Sequence, residues 1–123
     1  MNVVFGDEQR AKIGDKYITL RLDKVGVKNE LDPTQLYAVI GADSVSLGDM
    51  PVLDKTIELH EKLIDNYLEQ DWNYCEQALT HLKGKFGGEL DSFYNIMSDR
   101  IRQYRLQGIP PNWDGVHWSE TGN

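Results

Sequence analysis

Three histidines, one cysteine and a row of carboxylates are the residues of this chain that could do chemistry. Their spacing argues against each chemistry in turn. His60, His81 and His117 lie far apart, and none begins an H-x-x-x-H pattern that would set two imidazoles on one helix face toward a metal. They are expected to be surface or partly packed side chains. Cys75 stands alone, so neither an internal disulfide nor a Cys-rich zinc site can form. It falls on an apolar helical stripe, with no base or helix N-terminus evident to lower its pKa, and reads as a buried structural thiol. Glu58, Glu61, Asp65 and Glu69 recur at helical intervals and are expected to form a solvated face with Lys55 and Lys62. Neither G-x-G-x-x-G nor the Walker spacing occurs, so there is no Gly-rich phosphate loop. No nucleophile–base pair or ligand cluster can be assembled from these residues, which disfavours a small independent enzyme.

The elements that would position these groups change character near residue 50. Before it, β-branched and aromatic residues come in short stretches separated by turn residues. Asn2–Phe5 is a short apolar run that stops at Gly6-Asp7, and Glu8 to Ile13 allows one or two helical turns. Lys16 to Val27 alternates, with Leu20 and Leu22 on one face and Thr19 and Arg21 on the other. The alternation slips by one around Asp23-Lys24, where a bulge or bend would absorb it. Thr34 to Ile40 alternates again, with Leu36, Ala38 and Ile40 opposite Tyr37 and Val39. The polar connection between these runs ends in Asp32-Pro33, a turn signal, and predicts an antiparallel hairpin. Such a hairpin is marginal alone and needs more strands or a helix over its apolar face.

After a Gly-, Ser- and Asp-containing linker, apolar residues recur at helical spacing. Three helices are predicted. The first runs from about Val52 to Glu69, with Ile57, Ile64, Tyr67 and Leu68 near one stripe. The second is capped by Asp71 and carries Trp72, Cys75, Ala78, Leu79 and Leu82, ending at Gly84 or Gly87-Gly88. The third starts near Asp91, carries Phe93, Met97, Ile101 and Tyr104, and is stopped by Gly108 and Pro110-Pro111. Residues 112–123 are expected to be irregular, with Trp113 and Trp118 as packing anchors. The predicted class is α+β: an N-terminal antiparallel β-hairpin segment (1–41), a linker (42–51) and a tetratricopeptide-like three-helix module (52–123). A single helix pair buries its own face poorly, so a partner surface is expected.

Composition narrows the function. The 123 residues carry 20 acidic and 13 basic side chains, a formal net charge of −7. So acidic a surface repels phosphate backbones and disfavours a nucleic-acid partner. No apolar run approaches the roughly 18 residues that span a bilayer. The N-terminus lacks the basic and apolar blocks of a signal peptide, and a lone thiol suits a reducing, cytoplasmic setting.

The run Leu20-Arg21-Leu22-Asp23-Lys24-Val25-Gly26-Val27-Lys28, followed by Pro33 and Leu36-Tyr37-Ala38-Val39, resembles the closing hairpin of class III adenylate and guanylate cyclase catalytic domains. Residues 52–123 are similar to a C-terminal extension on many bacterial cyclases of this class. The marks there are Asp71-Trp72 with Ala78, then Asp91, Arg100 and Tyr104, then Pro110-Pro111 and Trp113-Asp114-Gly115-Val116. The resemblance implies a parent enzyme making a cyclic nucleotide from a purine nucleoside triphosphate, with two divalent metal ions (Mg or Mn) and active sites shared between two catalytic domains. The family's metal-binding aspartates and transition-state Asn and Arg precede the matched segment, so this chain is expected to be inactive alone and to hold no cofactor. Its expected partner is the remainder of a catalytic domain or a second copy of the chain, making an oligomer. Lys28 matches a lysine that contacts the nucleotide polyphosphate in some members, although Asn29 stands where the family has glycine. The alternative expectation is a free-standing tetratricopeptide-like interaction module.

Overall fold

The alternating runs pair as their patterns require. The computed structural model describes residues 1–27 and 32–119. Strand β2 (Tyr17–Val27) lies antiparallel to β3 (Thr34–Gly41), with Leu20 opposite Ala38 and Ile18 opposite Ile40. The slip seen in the alternation is a register shift between Arg21 and Lys24. Strand β1 (Asn2–Phe5) pairs antiparallel with the other side of β3 and leads into a short helix, α1 (Gly6–Ala11). The far face of β3 is covered near α1: the Tyr37 hydroxyl donates to Asp7, and the Arg10 guanidinium lies 5.2 Å from the Tyr37 ring centroid.

Three helices follow, α2 (Leu53–Leu68), α3 (Trp72–Leu82) and α4 (Asp91–Gln107). Asp71 caps α3 by accepting from the Tyr74 backbone N–H at 3.1 Å, as its position ahead of an apolar periodic run predicts. The turn between α2 and α3 is tight because Gln70 takes a left-handed conformation, φ 64°. Leu20, Leu22, Ala38 and Ile40 from the sheet share one core with Leu63 and Ile64 of α2, Leu79 and Leu82 of α3, and Met97 and Ile101 of α4. The chain is thus α+β, and the surface needed to cover its helix pair is its own sheet. Among the described residues no helix is long and apolar enough to cross a membrane.

Two expectations are corrected. The tail is not irregular throughout: β4 (Val116–Ser119) lies parallel to β2, with Val116 opposite Lys24 and Gly26 opposite Trp118, giving the sheet order β1-β3-β2-β4. Backbone polar groups of β2 beyond the bulge would otherwise stand unpaired on that edge, and a four-residue strand suffices to meet them. Leu68, placed on the apolar stripe of α2, is 46% exposed. The stripe runs instead through His60, Leu63, Ile64 and Tyr67.

The linker is tied down as well. It contains short 3-10 turns at Ala42–Ser44 and Met50–Val52, and Asp49 pairs with Lys85 at 3.1 Å. Gly87, at φ 66°, sits so close that a Cβ there would lie 2.3 Å from the Ser44 carbonyl oxygen. Gly87→Ala is therefore expected to cost about 2–4 kcal/mol from backbone strain and overpacking together. Urea unfolding checks this; a midpoint unchanged from wild type would refute the contact.

Candidate functional site

The bulge in β2 bends the strand where the sheet meets the helices, and the polar groups it displaces are met by side chains from both layers. Gln35 donates its side-chain amide to the carbonyls of Leu22 (2.9 Å), Asp23 (3.2 Å) and Leu36 (3.0 Å), filling the break in the ladder. Just before the bulge, both backbone groups of Arg21 turn to α2. Its N–H donates to Glu61 Oε2 at 3.2 Å, and its carbonyl oxygen lies 2.7 Å from His60 Nε2. A carbonyl can only accept, so Nε2 carries the proton and Nδ1 accepts from the Tyr94 hydroxyl, 2.9 Å away.

His60 is wholly buried, which corrects its reading as a surface or partly packed side chain. Burial holds its pKa below the ordinary value, against the opposing pull of the Arg21 carbonyl and Glu61. Its position was legible in hindsight, three residues after Ile57 and four before Ile64 on the apolar stripe. His81 and His117 are exposed, as expected. The neutral imidazole joins β2, α2 and α4 in one bonded chain, with the Phe86 ring edge-on at 6.4 Å.

Charged groups reinforce the same seam. Arg21 donates Nε to Glu61 (2.7 Å) and Nη2 to both the Glu61 carbonyl (3.0 Å) and Asp65 (2.7 Å). The carboxylate row on α2 is thus not simply a solvated face. Glu58 does pair with Lys62 at 2.9 Å, but Glu61 and Asp65 serve the sheet. On the other side of the bulge, Arg100 of α4 grips Asp23 with both terminal nitrogens, at 2.6 and 2.9 Å. Burial opposes the Arg100 charge, yet the Asp23 carboxylate outweighs it and raises the pKa.

Beyond Arg100 the tail docks through aromatic rings. Trp72 stacks on Tyr104 at 5.5 Å, and Trp113 meets Tyr67, Trp72 and Tyr104 edge-on at 5.5, 6.0 and 5.9 Å. Trp113 Nε1 also donates to the Tyr104 hydroxyl at 3.3 Å. Gly115, at φ 77°, passes so near Leu68 that a Cβ would lie 2.4 Å from its Cδ2. Trp113 is thus an anchor as expected; the Trp118 side chain lies outside the described residues.

Cys75 is buried and donates weakly to the Leu63 carbonyl at 3.8 Å. Burial, with Asp71 and Glu76 adding to it, pushes the thiol pKa up to about 12, the opposite of nucleophile activation. Among the described residues no three His, Cys, Asp or Glu side chains gather in a way that could hold a metal ion. Lys28 lies outside the described residues. The strand ends next to it border a groove of about 380 Å³ lined by Asp7, Lys24, Pro33, Thr34 and Tyr37.

None of the protein-family models, curated proteins or solved structures compared with the chain matches it.

Two outcomes test the seam. Since the folded pKa of His60 lies below the ordinary 6.5, its neutral form stabilises the fold fully above about pH 6.5, and stability falls as the pH drops below that value. His60→Gln is expected to flatten this limb relative to wild type in urea unfolding at pH 7 and pH 5; equal slopes would refute it. A double-mutant cycle on Asp23→Asn and Arg100→Met is expected to give a coupling of about 1–3 kcal/mol, and additivity would deny the pair its role.

Proposed function

We propose that this chain is the C-terminal part of a class III adenylate or guanylate cyclase, without a catalytic metal site of its own, and that its helical extension is a packing element that clamps the last hairpin of the catalytic sheet. The observation that carries this reading is the two-pronged Asp23–Arg100 bond. One partner belongs to the motif of the hairpin and the other to the motif of the extension. The remaining motif residues gather beside it: Trp72, Tyr104 and Trp113 in one ring cluster, and Val116 paired with Lys24. Two sequence patterns that resemble adjacent parts of one family thus meet through the residues that define them.

The proposed mechanism is positional. In the parent, the triphosphate and two divalent ions would be held by carboxylates of another segment, since two-metal chemistry requires an acidic clamp. This chain would contribute Lys28, which follows β2 in the sequence, a point charge suited to a phosphate oxygen. Clamping β2 at Asp23, five residues earlier in the sequence, would fix the strand that leads to Lys28, and small misplacements of charged groups cost rate steeply. The acidic chain fits a protein or nucleotide-bound metal partner better than a nucleic acid, and cytoplasmic location follows from the signalling role. A peptide groove of tetratricopeptide type is less well supported, because the inner faces of α2 and α3 share their core with the sheet.

The purified chain with manganese and ATP or GTP is expected to form no cyclic nucleotide. Supplied to a class III catalytic domain lacking its own last hairpin, it is expected to restore turnover. Lys28→Ala or Arg100→Met should then lower that turnover on the order of tenfold or more. Turnover by the chain alone would overturn the non-catalytic assignment; failure to restore it would overturn the cyclase assignment.

A further inference from the structure

Where β2 breaks register, a partly open pocket of about 140 Å³ lies between the sheet and the helices. Protein interiors are packed to crystal density, and voids larger than a water are few. Leu22, Ile64, Tyr67 and Met97 form its apolar wall. Each is less than a tenth exposed, so the wall belongs to the core rather than to a surface dimple. An apolar cavity of about 150 Å³ stays dry and accepts benzene, because its lining lacks contact partners on one side.

The polar side has a definite chemistry. Asp23 also lines the cavity, but both its oxygens are taken by Arg100. Arg21 spends Nε and Nη2 on α2, and among the described residues its Nη1 is not engaged. Lys24, another lining residue, has no carboxylate partner among the described residues. The cationic donors left over are Arg21 Nη1 and Lys24, beside one uncharged acceptor, the Gln35 side-chain oxygen, which takes no hydrogen bond among the described residues. Leu68, half exposed, lies on the lining and offers a way in.

We propose that this cavity is a binding site for a small organic acid, with an apolar body about the size of a benzene ring and one carboxylate directed to Arg21 and Lys24. Its occupant would bridge the sheet and the helices, tightening the seam. The proposal is independent of the cyclase reading, since it needs only the cavity and its unspent donors.

Benzoate is the probe, with benzene as the neutral control and acetate as the carboxylate without the apolar body, each titrated into the full chain. Benzoate is expected to raise the unfolding temperature in step with the logarithm of its concentration and to shift the amide resonances of Leu22, Ile64 and Met97 saturably. Acetate should do neither. Lys24→Ala, an exposed change that spares the core, should weaken benzoate by about three- to fivefold and leave benzene unaffected. Met97→Phe should fill the space and abolish binding of both; if that variant does not fold, Lys24→Ala decides. Absence of saturable shifts with benzoate would overturn the site. Benzene bound as tightly as benzoate, or a Lys24→Ala variant that binds benzoate normally, would overturn the acid class.

Discussion

A strand edge cannot leave its backbone polar groups unmet inside a protein. Much of this architecture follows from how β2 meets that constraint on the side away from β3. Ahead of the bulge, no strand lies there among the described residues, and Arg21 hands its N–H to Glu61 and its carbonyl to His60. Beyond the bulge, β4 takes over in parallel register. Between the two, Gln35 closes the broken ladder from β3. The strand edge is therefore finished by three devices drawn from three parts of the chain, and each draws its donor element into place. Helix α2 cannot leave the sheet without stranding Arg21, and α4 cannot leave without uncovering both Tyr94 and the Asp23 carboxylate.

Charge and apolar burial act together at this seam. A half-buried Arg–carboxylate pair with two-pronged geometry contributes more than an exposed pair where its two charge-assisted bonds, strengthened by the lower local dielectric, outweigh the cost of desolvating both partners. The exposed pairs, such as Arg102–Asp99, are worth little by comparison. Beneath them lies a core that runs from Leu20 and Ala38 through Leu63 to Met97 and Ile101 without a break. The hairpin and the helices therefore share one core. In the proposed function, that union lets a remote helical extension hold the strand that leads to Lys28.

Much of the fold was legible where one period ruled a stretch. The β2 and β3 alternation, the slip at Asp23-Lys24, the Asp71 cap and the stop at Gly108 each follow from local chemistry, and each stands in the structure. What the sequence hid were features decided by distant partners. Val116–Ser119 is too short to be read as a strand, and only the open edge of β2, some ninety residues away, makes it one. His60 is a polar residue on an apolar stripe, tolerable there only because Arg21 and Tyr94 supply both partners. Glu61 and Asp65 looked like a solvated row because the cation that claims them sits on another element. The candidate site was legible only in part: Trp113 was expected as a packing anchor and Arg100 stood out only as a mark of the family resemblance, and nothing local linked Arg100 to Asp23.

The central claim is that hairpin and helical extension open and close as one body, held at the kink of β2. Native-state hydrogen exchange tests it most directly, read at the amides of Leu20 and Ala38 in the sheet and of Met97 and Ile101 in α4. The account predicts that all four exchange with the same opening free energy and the same denaturant dependence, that of global unfolding. Sheet amides that exchange through a separate opening of lower free energy, while those of α4 stay protected, would contradict it.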